Sequence, residues 1–357
     1  MHFLSGIVSG RLNTGDGRVP GSALRRALAT IVVLVAAVVA LWEAGAASAP
    51  AGSTVFQGCC DASAAVALNE SVIAVGSDEE NVIRLYRRNT GGVPMGVWPA
   101  AGVPGPALGR EEMDLEGAAR VDDLAFWIGS HSRNSNGRPR PSRHVVFATR
   151  IVGEGLGVGL ETAGRPFRSL LASMAADAGM ARFGLARAAE RPAEAAGGLN
   201  IEALAAGSDG VLWVGFRNPV PERKALLARW LNPRDVVMSG APPRWGEPVL
   251  LPLGGLGLRD AVRVGARVLL VAGPAEGGGR HRLFAWTEGS AVVTEMPGAI
   301  PKGFQAESIV PWEQPGVERI QILSDGGGDK IGGIRCADLR DPMARVFRGI
   351  TVVNAAR

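Results

Sequence analysis

Five times along this chain an acidic residue opens a short apolar strand, and a second apolar strand follows that usually ends at glycine. Three copies share one spacing: Glu116 to Gly129, Glu202 to Gly215 and Asp260 to Gly273 each place the acid thirteen positions before the glycine. Asp61 to Gly76 takes fifteen, and Glu307 to Ser324 takes seventeen with no glycine at its end. Self-similarity at a period of roughly 50 residues marks an array of supersecondary units, none of which buries its own faces alone. The same pattern puts one carboxylate at an equivalent place in every unit.

Each repeat parses into four short strands. In the third they fall at 202–206, 211–217, 225–231 and 248–253, separated by Ser-Asp-Gly, Asn-Pro-Val-Pro and an Asn-Pro/Pro-Pro stretch, all turn chemistry. The fourth repeat reads 260–264, 267–272, 282–286 and 291–296; the first, 64–68, 72–77, 82–87 and 95–98; the last, 307–311, 319–324, 333–337 and 346–353. Four-stranded units repeated around an axis make a β-propeller, whose closure protects sheet edges. The expected fold is therefore all-β, a propeller with five visible blades, and with room for a degenerate sixth before Cys59 and within the one segment that breaks the pattern. That segment, 167–196, is Ala-rich with Leu170, Leu171, Met174, Met180 and Leu185 at helical spacing. It reads as a helical insertion between blades two and three, either a lid over one face or an edge cover. Trp127 and Trp213 on second strands, and Tyr86, Trp230 and Trp286 on third strands, are expected to pack between blades.

Arg25-Arg26, the apolar run 27–42 and Ala47-Ser48-Ala49 have the order of a secretory signal peptide cleaved after about Ala49. This leaves a propeller domain over 50–357, exported to the periplasm or beyond, with no stable membrane insertion after cleavage. The alternative is an anchor through 27–42, although that run is shorter than the ~20 residues of a spanning helix. Without residues 1–49 the chain keeps 34 basic and 32 acidic groups, net +2. It has neither a clustered basic face nor aromatic stacking platforms, so a nucleic-acid partner is not expected. Export permits a disulfide. Adjacent Cys59 and Cys60 are poor partners for each other; one of them joined to Cys336 would tie the first repeat to the last, and otherwise all three are buried thiols.

Several motifs carry a resemblance. Phe56-Gln-Gly-Cys-Cys-Asp61-Ala-Ser, Ser77-Asp-Glu-Glu-Asn81, Asp114-Leu-Glu-Gly-Ala-Ala119, Trp127-Ile-Gly-Ser-His-Ser-Arg-Asn134, Leu199-Asn-Ile-Glu-Ala-Leu204, Gly215-Phe-Arg-Asn-Pro219 and Leu253-Gly-Gly-Leu-Gly-Leu-Arg259 resemble the uncharacterised bacterial DUF3616 domain family. The one departure is Ala203, where the family usually carries glycine after the acid. At greater distance the D-x-E-G-A and N-x-E-x-L motifs look like those of the esterase-like phytase propellers. The resemblance implies a propeller and no settled activity.

In a propeller the first strand of each blade lines the central channel, so Asp61, Glu116, Glu202, Asp260 and Glu307 are expected to form a ring of carboxylates at one mouth. Converging anions repel unless a hard cation or arginines fill the space; Ca²⁺ suits an oxygen-rich site, and Asp114 adds a further metal ligand. Alternatively, each acid caps a neighbouring blade's backbone or pairs with arginine. Arg133, Arg143, Arg217 and Arg259 lie beside these motifs, and guanidinium groups take carboxylate and phosphate bidentately. They are the candidate ligand-binding residues, with Arg138 and Arg140 reading as a solvated loop. His131 is the one catalytic candidate, as general acid or base, or else it fixes its loop; Ser130 beside it points to the opposite face of a strand. Gly326-Gly-Gly-Asp-Lys330 lacks the spacing of a phosphate loop and reads as a mobile hairpin. The chemistry points to an anionic ligand bound at the mouth, through Ca²⁺ or directly. The alternatives are a metal-assisted phosphoesterase and a cell-envelope interaction scaffold.

Overall fold

The computed structural model describes residues 52–100, 111–312 and 317–355. The predicted signal segment at 1–49 and the apolar run 27–42 lie outside the described residues. Among the described residues no helix is long and apolar enough to cross a membrane.

Five four-stranded antiparallel sheets make five propeller blades. Blade 1 comprises Ala64–Ala67, Val72–Gly76, Val82–Arg87 and Gly96–Pro99, and blade 2 Leu115–Val121, Leu124–Gly129, Val146–Val152 and Gly159–Phe167. Blade 3 comprises Asn200–Ala206, Leu212–Asn218, Ala225–Trp230 and Val249–Leu251, and blade 4 Gly257–Val264, Arg267–Gly273, Arg282–Thr287 and Val293–Glu295. Strands pair in chain order within each of these sheets. The first strand of each blade is innermost, and the inner strands neighbour one another around a ring that closes from blade 5 to blade 1.

Blade 5 departs from the expected order. Its inner strands are Ala306–Trp312 and Val317–Ser324, its third is Val346–Ala355, and its outermost strand is Ser53–Gln57 from the other end of the chain. The strand expected at 333–337 belongs instead to a separate hairpin in which Lys330–Ile331 pairs with Ile334–Arg335. The segment before Cys59 is thus the closing strand of the fifth blade and not a sixth. Phe56 pairs with Phe347 across the closure, and their rings stack at 4.8 Å with Tyr86 edge-on at 5.4 Å from each.

Five apolar cores form, and each spans the seam between two adjacent blades. This is why the strands alternate so weakly: an inner or second strand faces a neighbouring blade on both sides, and Val72–Gly76 and Leu124–Gly129 are buried throughout. Trp127, Trp230, Trp286 and Tyr86 are fully enclosed in these seams and Trp213 nearly so. Trp127 donates from Nε1 to Thr149 Oγ1 at 3.0 Å, satisfying its polar edge. The recurring glycine also has a packing cause. A Cβ on Gly129 would stand 2.4 Å from the Arg143 carbonyl oxygen and 2.5 Å from that of Met113, and one on Gly215 would stand 2.7 Å from Ala203 Cβ.

The insertion forms helices Leu170–Ala176 and Leu185–Ala188. Leu170, Met174, Met180 and Leu185 join the core between blades 2 and 3, so the helices cover that seam. Its tail then turns toward the channel. A further helix, Pro233–Ser239, occupies the Asn-Pro stretch read from sequence as a turn; proline at its first position suits a helix start.

Candidate functional site

The inner strands of blades 2 to 5 each slip register near their start, and the slips aim one side chain per blade into the channel. The bulged positions are Glu116, Glu202, Arg259 and Glu307. An extra residue on one strand leaves it unpaired and re-aims its side chain, a device common beside functional sites. Blade 1 has no slip; there Asp61 precedes the strand and bridges to Asp325 of blade 5.

These residues open into a cavity of about 330 Å³ lined by Asp61, Asp78, Glu79, Glu116, Glu194, Glu202, Glu307 and Asp325, with Arg217, Arg259 and Arg335 as its cations. Eight carboxyl groups outnumber three guanidinium groups in the lining. The charges are unevenly matched. On the side of blades 3 to 5 a continuous chain of pairs runs from Glu194 through Arg217, Glu202 and Arg259 to Glu307. Arg217 donates to Glu194 at 2.8 Å and to Glu202 at 3.0 Å, and Arg259 donates to Glu202 and Glu307 at 3.0 Å each. Asn200 Nδ2 adds a bond to Glu202 at 2.6 Å. Burial works against the Arg259 charge, but Glu202, Glu307 and Glu116 outweigh it and hold its pKa above the ordinary arginine range. Glu307, despite Arg259, is pushed up to about 8 by burial.

The side of blades 1 and 2 has no such chain. Asp78, Asp114 and Glu116 bring carboxylate oxygens within 4.8 Å of one another. Asp114 is paired to Arg143 Nη1 at 2.7 Å. Asp78 accepts a long bond from Ser77 Oγ at 3.4 Å and one from its own backbone N–H, and has no ion-pair partner among the described residues. Glu116 has no hydrogen-bond or ion-pair partner among the described residues. Burial, then the neighbouring Asp114 and Glu79, push Asp78 up to about 7. Burial raises Asp114 to about 6 against the pull of Arg143. Glu116 rises well above the carboxylate range through burial, then Glu202 and Asp114. Next to this group, Asp61 is raised to about 10 by burial and by its contact with Asp325. Both carboxylates accept from Gly327 N, at 3.0 and 2.7 Å.

Gly327 belongs to the Gly-rich run expected to be mobile. The run is held at the mouth: Gly326 N donates to Cys60 O at 2.9 Å, and Cys60 is disulfide-bonded to Cys336, 276 positions away. Cys59 is the free thiol, buried against Tyr86 and raised by that burial to about 12, which keeps it protonated.

Not every expected residue reaches the cavity. Asp260 is one position beyond the bulge, so its side chain turns into the seam with blade 5, where it accepts from Ile309 N at 2.9 Å. It caps a neighbouring blade, and Arg259 takes the ring position. Arg133 donates to Ala189 O and Gly137 O at 2.9 Å, tying its loop to the insertion, and does not line the cavity. Arg143 is engaged by Asp114, Glu112 and Ser132. His131 is buried outside the cavity with Nδ1 2.8 Å from Gly129 O and its ring 5.3 Å from that of His144. Burial lowers it to about 3, so it is neutral and fixes its loop. Sequence reasoning did not single out Asp78, Glu79, Glu194 or Asp325. Asp78 and Asp325 had a signal, since each follows a second strand at the place where Ser130-His131 follows Gly129.

No family model matches the chain, and no curated protein matches it. Among solved structures, the chain is similar to the glutaminyl cyclase of Myxococcus xanthus, 10% identical over 84% of this chain and 95% of that one, TM-score 0.42. It is also similar to the PQQ-bound aldose sugar dehydrogenase of Streptomyces coelicolor, 12% identical over 85% of this chain and 100% of that one, TM-score 0.39.

Proposed function

We propose that the acidic mouth binds a divalent cation, and through it a small anionic ligand such as a phosphoester. The observation that carries this reading is the less neutralised half of the ring: Asp78, Asp114 and Glu116 converge there, and of the three only Asp114, through Arg143, has an ion-pair partner among the described residues. Ca²⁺ takes 6–8 oxygens at roughly 2.3–2.6 Å in flexible geometry, and these carboxylates supply part of such a shell. An anion on the open coordination positions would face Arg259 across the cavity. The more distant likeness of the D-x-E-G-A and N-x-E-x-L motifs to the phytase-like propellers is in keeping with a phosphoester, and the Cys60–Cys336 disulfide supports an exported protein, since such bonds persist in oxidising compartments.

A second reading has its own support. Asp61 lies beside Asp325 in the same cavity and is raised to about 10, chiefly by burial, so a protonated Asp61 carboxyl would stand beside the cation position. That arrangement favours metal-assisted phosphoester hydrolysis, in which a divalent ion activates water and a carboxyl group protonates the leaving oxygen. The scaffold reading fits only the arginine-neutralised half.

Thermal unfolding in EDTA and then in excess Ca²⁺ tests the cation site. A ligand at 100 times its Kd adds about 2.7 kcal/mol, a rise on the order of 5 °C for a domain of this size. The rise is expected in the native protein and absent in Glu116→Gln and Asp78→Asn. An equal Tm with and without Ca²⁺ would refute the proposal.

A further inference from the structure

The other end of the channel has different chemistry. Past their charged starts the inner strands run on through mostly apolar residues, and four of the five blades place alanine in the lining: Ala65, Ala119, Ala205 and Ala261. Alanine is a poor strand former, and at these positions its merit is size, because a larger side chain at each would narrow a chamber that Val66, Leu204, Val262 and Ile309 already line. What remains is a cavity of about 490 Å³ that shares no lining residue with the acidic one. Blade 5 contributes Trp312, whose ring is clasped between two guanidinium groups, Arg88 at 3.5 Å and Arg319 at 4.1 Å, and so makes a fixed wall.

One cation in the lining lacks a counter-charge. Arg120 donates from Nε to Asp122 O at 2.9 Å and from Nη1 to Leu68 O at 2.8 Å, bonds that hold it across the junction of blades 1 and 2. No carboxylate pairs with it among the described residues, whereas Arg263, also in the lining, is neutralised by Glu288 at 2.6 Å. An apolar chamber gives water few partners, and its volume lies in the range of about 300–1,000 Å³ usual for small-molecule sites with one or two orienting polar groups.

We propose that this end of the channel binds an amphipathic monocarboxylate, its aliphatic tail between the alanines and its carboxylate on Arg120. The site is independent of the cation at the opposite mouth. Titration calorimetry of the full chain in EDTA, with decanoate below its micellar concentration, tests it. Decanoate is expected to bind with a negative heat-capacity change, the mark of apolar burial, and butyrate and decyltrimethylammonium to give no saturable heat. Arg120→Gln should weaken decanoate about tenfold, as for a lost hydrogen bond to a charged group. Ala205→Phe should abolish binding by filling the chamber, and Ala119→Val serves the same purpose should the larger substitution fail to fold. Excess Ca²⁺ should leave the affinity unchanged. Absence of decanoate binding, equal binding of the cationic amphiphile, or undiminished affinity in folded Arg120→Gln and chamber-filled variants would each overturn the proposal.

Discussion

The two halves of the acidic mouth hold similar numbers of carboxylates and treat them in opposite ways. On blades 3 to 5, Glu202 and Glu307 are nearly inaccessible and each is bonded to Arg259, with Arg217 extending the chain to Glu194. On blades 1 and 2, Asp78 and Glu116 have no ion-pair partner among the described residues, and burial with repulsion from neighbouring carboxylates drives their pKa values upward. A closed network of ion pairs stabilises a fold only while all its members are present. A bare cluster costs stability until something positive arrives. The difference separates a half neutralised by arginines from one that is largely not.

The largest expected effect breaks the paired half. Arg259→Leu strands Glu202 and Glu307 without their shared cation, and losing one partner of a buried pair costs about 3–5 kcal/mol. Urea unfolding should show that loss with and without Ca²⁺; a change below about 1 kcal/mol would mean the network is as dispensable as a surface pair. Next in size is the clamp on the bare half. Cys60→Ser frees the hairpin that carries Gly327 over Asp61 and Asp325, and removing a native disulfide typically costs about 2–5 kcal/mol. Its Tm should fall whether or not Ca²⁺ is present, and a matching fall on reduction of the native protein would confirm the cause.

The smallest effect has the opposite sign and sharpens the contrast. Glu116→Gln removes an unpartnered carboxylate, so in EDTA it should leave stability unchanged or raise it by about 1 kcal/mol. The pH dependence follows from the same groups. Asp78 and Glu307 are raised to about 7 and about 8, so the folded state holds protons that the unfolded state has released. Their contribution is complete below the unfolded carboxylate range near pH 4 and is lost as pH rises through the folded values. Buried His131 and His281, lowered to about 3 and about 4, act below pH ~6.5 in the other direction, destabilising the fold as pH falls. In EDTA the Tm should therefore decline between pH ~7.5 and ~8.5, above the range in which the unfolded histidines take up protons. Excess Ca²⁺ should flatten that decline, and a Tm rising with pH in EDTA would contradict the assignment.

Blade architecture was legible because its signals are local. Turn residues, strand-length apolar runs and the roughly 50-residue repeat lie within one blade and are set by backbone preference and burial, and the parsed strands of blades 1, 3 and 4 agree with the structure to within a few residues. The closing strand Ser53–Gln57 was not legible, because its partner lies almost 300 positions away and nothing in five isolated residues names it. The site was half legible. Glu116, Glu202, Glu307 and Asp61 do reach one cavity, and the alternative that some acids cap a neighbouring blade describes Asp260.

The clearest boundary between the two kinds of information is the thirteen-residue spacing itself. Three acid-to-glycine intervals of equal length end in three registers: the residue opposite the glycine is Leu115 before Glu116, Ala203 after Glu202, and Gly257 three positions before Asp260. The sequence alone determined that there are repeated four-stranded units, where each begins, and that each opens on polar residues near the axis. Only the tertiary structure decided which of those residues face the channel. Side chains alternate across a strand, so a one-residue slip at a bulge exchanges Asp260 for Arg259. Where a bulge forms depends on the packing of neighbouring blades, which no local spacing records.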